Sequence, residues 1–112
     1  MFNFLCTRLR SHYIEIFSLC LIIEKYVMSG WNKICADVEM GMLQTETDCI
    51  EASELLGVTY KRKNSFREYP SGCFSNRFNH AYWNTHGTGA RYKDSQGVCQ
   101  YGKQYIIHFV LI

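Results

Sequence analysis

The clearest periodicity in the chain lies between residues 46 and 56. Cys49, Ala52, Leu55 and Leu56 recur at helical spacing, so one face of a short helix should be buried. Thr45 stands where a side-chain oxygen can cap the first turn, with Asp48 three residues on, and Gly57 follows the last apolar position. Glu46, Asp48 and Glu51 add acids near the positive end of the helix dipole. Beyond Gly57 the pattern shortens. Val58–Tyr60, Ala81–Asn84 and Gly97–Tyr101 read as strands, Tyr69–Gly72 as a proline turn delivering Cys73 and Phe74 into a strand, and His86–Gly89 as a loop. A helix followed by short strands predicts an α+β fold: a small disulfide-rich domain with one short helix packed on a small antiparallel sheet. Which way Tyr82 and Trp83 each face depends on strand register and stays open.

The two ends differ from this middle. Residues 1–28 carry Arg8 and Arg10 ahead of an apolar run, Ile16–Ile23, which reads either as an atypical secretory signal or as an N-terminal helix. Residues 102–112 end in an apolar tail expected to be a strand or disordered. The cysteine-rich module is therefore placed at residues 29–101. No stretch of about 18 uncharged apolar residues occurs, so no membrane-spanning helix is expected.

Charge sharpens the division. The 112 residues carry a net charge of +2, yet Asp37–Glu54 holds six acids and no base, while Lys61–Lys93 holds seven bases and one acid. Lys61, Arg62, Lys63 and Arg67 lie beside Tyr60 and Phe66, a mixture that can grip a nucleic-acid backbone. The near-balanced total removes the long-range attraction such binding needs, and a solvated hairpin accounts for the same residues.

Cys35, Cys49, Cys73 and Cys99 fall inside the module, with Cys6 and Cys20 outside it. Four cysteines permit three pairings. The favoured one joins Cys49 on the buried helix face to Cys73 after the proline turn, leaving Cys35–Cys99 to tie the module ends. Zinc competes weakly, because the closely spaced Cys or His pairs of structural sites are missing. Cys73 with His80 or His86 could form a thiolate–imidazole pair, but no surrounding signature of a cysteine nucleophile accompanies it. No phosphate-binding or serine-hydrolase motif is present, so no enzymatic activity, metal or cofactor is expected.

Cys35, Cys49-Ile50-Glu51-Ala52 with Leu56-Gly57, Tyr69-Pro70-Ser71-Gly72-Cys73-Phe74, and Tyr82-Trp83-Asn84 before a glycine-rich loop and Cys99 follow one another in a fixed order. That order resembles a short cysteine-rich module of secreted or surface proteins in marine algae and protists, matched over about residues 33–100. The family tends to close with a second cysteine beyond the one corresponding to Cys99, which this chain lacks. A looser likeness is to PAN/apple-type modules, whose helix usually carries two cysteines where this one carries Cys49. The resemblance implies an oxidising extracellular or cell-surface location and a role in binding or in building surface structures.

Together these features lead us to expect a non-catalytic binding module whose partner is a glycan or a surface protein. The ligand-binding candidates are Tyr69, Tyr82, Trp83 and Asn84, because aromatic faces stack on sugar rings or anchor interfaces. Trp31, Tyr60 and Phe66 add further flat apolar surface, although any single aromatic can equally serve a small core. The alternative is a purely structural element of a surface coat or array.

Overall fold

The structure, a computed structural model, describes the backbone of residues 3–9, 17–101 and 106–111 and the side chains of residues 25–101. Strands β1 (Asn3–Leu9), β2 (Phe17–Glu24) and β9 (Ile106–Leu111) form an antiparallel sheet with β2 in the centre. The N-terminal helix alternative is thus corrected: a short apolar run rich in Leu and Ile also fits a strand paired on both edges, and Phe17–Glu24 adopts that form. Most of the apolar tail is strand β9; Tyr105 and Ile112 lie outside the described residues.

The second sheet has six strands: β3 (Tyr26–Met28), β4 (Gly41–Met42), β5 (Thr59–Asn64), β6 (Pro70–Asn76), β7 (His80–Gly89) and β8 (Ser95–Gln100). Five follow the order β3-β8-β6-β7-β5, and β4 pairs with β8. Since β3 belongs to this sheet, its strand pairing begins at Tyr26, ahead of the boundary expected at residue 29. The α+β architecture is as expected, with one refinement. The sheet is mixed, because β5 runs parallel to β7. A parallel pair cannot be closed by a hairpin, so the chain leaving β5 must cross β7 to reach β6.

Helix α1 (Glu46–Leu56) covers one face. Thr45 Oγ1 accepts a hydrogen bond from Asp48 N at 3.1 Å, and Gly57 ends the helix at φ +76°. Cys49 and Ala52 pack with Leu43, Cys73, Tyr26 and Val98 into the core, flanked by Trp83 and Tyr60. Two phenols pin the helix from opposite edges of the sheet: Tyr26 Oη donates to Glu51 at 2.8 Å, and Tyr60 Oη donates to Glu46 at 2.5 Å.

Among the described residues two disulfides form, Cys49–Cys73 and Cys35–Cys99, the pairing favoured from the sequence. They brace opposite faces. Cys73 faces α1; its neighbour Phe74 faces away and pairs with Gly97, which shares its face with Cys99. A short 3-10 helix, Cys35–Val38, covers that part of the second face. Gly97 lies directly beneath the bridge, where a Cβ would stand 3.0 Å from Cys35 Sγ.

Two expected loop segments are corrected to strand. In Tyr69–Gly72 only Tyr69 stands at a bend: β6 starts at Pro70, which needs no N–H there, and Gly72 at φ +80° accompanies a register shift against β7. His86–Gly89 is the end of β7. Gly89 pairs with Pro70 so closely that a Cβ would sit 2.4 Å from Ser71 N.

Candidate functional site

The face away from α1 carries a continuous group of aromatic rings. Tyr69 stacks on Phe74 with ring centroids 5.0 Å apart, and Phe74 stacks on Tyr82 at 5.4 Å. Tyr92 extends the row beyond Tyr69, also at 5.0 Å. Phe66 stands edge-on to Tyr69, Phe74 and Tyr82, the geometry in which ring edges meet ring faces favourably. Phe74 is buried as the floor, while Tyr69, Tyr82, Tyr92 and Phe66 are half-buried.

The position of this row follows from the parallel strand. The connection Ser65–Tyr69 crosses β7 at Asn84, whose side chain takes hold of its backbone. Asn84 Oδ1 accepts from Phe66 N at 2.8 Å and from His86 N at 3.0 Å. Its Nδ2 donates to the carbonyls of Phe66, Tyr69 and Pro70 at 2.8, 3.1 and 2.9 Å. With that amide in place, Phe66 and Tyr69 are set over the sheet. His86 contributes locally: its Nδ1 accepts from Gly89 N at 2.9 Å and helps hold the end of β7.

Two depressions share Tyr69 and Asn76. One, of about 370 Å³, lies among Tyr69, Asn76, Arg77, Phe78, Tyr92 and Asp94. The other, of about 120 Å³, adds Arg62, Phe66, Phe74 and Tyr82. Arg77 bonds to Asp94 at 3.2 Å, and its guanidinium lies 4.2 Å from the ring centre of Trp31. Asn76 Oδ1 accepts from Phe78 N and His80 N, shaping the β6–β7 turn, while its Nδ2 donates to no other described residue. Phe78 is 80% exposed at the rim. Burial, followed by the nearby Tyr92, raises the pKa of the Tyr69 phenol above its ordinary value.

The four residues singled out in the sequence therefore separate. Tyr69 and Tyr82 lie together in the aromatic row. Trp83 points to the other face, against the helix-side core. Asn84 is 2% exposed, with both polar atoms bonded to the backbone, so it positions the site instead of lining an open surface. Tyr92, Arg77, Asp94 and Asn76 had no motif to mark them. The only signal was aromatic and charged residues at a strand end and in a turn.

Cys73 is bonded to Cys49, so its sulfur is not available as a thiolate partner for His80 or His86. Among the described residues, no group of three or more His, Cys, Asp or Glu side chains is arranged to hold a metal ion, and no helix is long and apolar enough to cross a membrane. Comparison with protein-family models, curated proteins and solved structures finds no match for this chain. The fold itself defines the class: a small α+β domain braced by two disulfides, with a polar-rimmed aromatic cleft on the sheet face opposite its helix.

Proposed function

We propose that the chain is a non-catalytic binding module of the extracellular or cell-surface type, and that the aromatic cleft takes a glycan. The observation that carries this reading is the row Tyr92–Tyr69–Phe74–Tyr82, bordered by the polar groups of Arg77, Asp94 and Asn76. Sugar rings present apolar C–H faces and hydroxyl edges, so a partly exposed tyrosine surface beside amide and charged groups matches both. Two disulfides in so small a domain fit an oxidising compartment, in keeping with the secreted and surface modules that the sequence resembles.

The test is a glycan and surface-protein binding screen up to high micromolar concentration, comparing wild type with Tyr82→Ala and Tyr92→Ala. Glycan binding that either substitution abolishes in a folded domain supports the proposal. A silent screen favours the purely structural array element, and binding to protein alone replaces the glycan with a protein partner.

A further inference from the structure

We infer that the glycan is an acidic one, carrying carboxylate or sulfate groups, and that Arg62 is its principal charge contact; this rests on the glycan reading of the cleft. In register, Arg62 lies beside Tyr82, on the face of the aromatic row, and it lines the depression containing Phe66, Phe74 and Tyr82. Lys61 and Lys63 flank it on the exposed edge strand β5, and Arg67 follows in the crossing segment. No carboxylate among the described residues pairs with any of these four bases. The far end of the cleft differs, because Arg77 is already engaged by Asp94. The cleft thus has an uncompensated positive end and a neutralised end, joined by tyrosine rings.

Edge strands commonly carry lysines that discourage sheet-to-sheet pairing, which accounts for Lys61 and Lys63. It does not account for an unpaired arginine beside Tyr82 in an aromatic depression. An arginine fork recognises carboxylate and sulfate oxygens well, while the adjacent rings can take the apolar face of the same sugar. A polynucleotide also offers anions and flat rings. The disulfides favour an extracellular acidic glycan over a polynucleotide.

The experiment titrates the whole chain with oligogalacturonate, dextran sulfate oligomers, neutral dextran oligomers of matched length and single-stranded oligothymidylate, at low and high salt. The expected result is high-micromolar binding of at least one acidic oligosaccharide, weakened by salt and by about tenfold in Arg62→Ala. Neutral dextran and oligothymidylate should bind more weakly than that ligand. Lys25→Ala, a charge change on the helix side, should leave the affinity unaltered. The inference is overturned if neutral dextran or oligothymidylate binds as tightly as the acidic oligosaccharides, or if Lys25→Ala weakens binding as much as Arg62→Ala. Neutral dextran binding as tight as that of the acidic oligosaccharides, and abolished by Tyr82→Ala, would overturn only the acidic specificity and leave the glycan reading standing. If no oligosaccharide binds, here or in the wider glycan screen, both readings fall.

Discussion

The side-chain amide of Asn84 bonds both backbone polar groups of Phe66, accepting from its N–H and donating to its carbonyl, each at 2.8 Å. This two-point grip turns an otherwise irregular chain crossing into a fixed wall of the aromatic cleft. It also explains how a buried polar side chain is tolerated, since both of its polar atoms are satisfied.

Asn84→Ala should therefore strip partners from two N–H groups and three carbonyls together. We expect a loss of about 2–4 kcal/mol in urea unfolding. The amide resonances of residues 65–70 should move more than those of helix α1. An unchanged midpoint would show that the crossing segment holds its place without the amide.

Gly97 and the Cys35–Cys99 bridge should be coupled. Gly97→Ala places a methyl against Cys35 and should cost about 1–3 kcal/mol, with much of that loss relieved when Cys35 and Cys99 are both replaced by alanine. Unfolding of the single, double and triple variants measures the coupling. Purely additive effects would contradict it. Removing the bridge alone should cost about 4 kcal/mol in the chain-entropy account, given its sequence separation of 64.

Helix α1 was readable from local chemistry because its cap, apolar face and terminal glycine all lie within one short segment. The disulfide pairing followed once Cys49 was placed on the buried face. The cleft was not readable in the same way. Pro70, Ser71 and Gly72 look like turn residues, yet here they provide a strand start and a register shift. The parallel β5–β7 pair sends residues 65–69 over Asn84, a long-range relation with no sequence period. Tyr82 and Trp83 are adjacent, so a strand must send them to opposite faces. Which face lay open was set by the side on which the helix packs.

The tyrosine pins give an alkaline signature. Burial first, and the hydrogen bond to Glu51 second, raise the Tyr26 pKa to about 12; burial and Glu46 raise that of Tyr60 as well. The folded chain thus holds these protons more tightly than the unfolded chain. Their contribution is complete below about pH 10 and is lost as pH rises toward the folded values. Urea midpoints between about pH 9 and about pH 11 should fall less steeply in Tyr26→Phe than in wild type. Identical slopes would contradict this linkage.

At the acid end, Asp37 receives hydrogen bonds from Arg91 and from Ile34 N, and Arg91 contributes most to holding its pKa at about 2 instead of the ordinary 3.8. Stability from this contact is present above the ordinary value and lost as pH falls through about 2. Carboxyl NMR should show the low midpoint in wild type and a return toward the ordinary range in Arg91→Ala. A midpoint unmoved by the substitution would mean that Arg91 is not the cause.

The central claim is that ligand binding belongs to the aromatic face. The most direct measurement is a two-dimensional amide NMR titration of the intact chain with the oligosaccharide that binds most tightly. The account predicts shifts concentrated at residues 62–69, 76–78, 82 and 92–94, with α1 quiet. Shifts centred on α1, or none at saturating oligosaccharide, would contradict it.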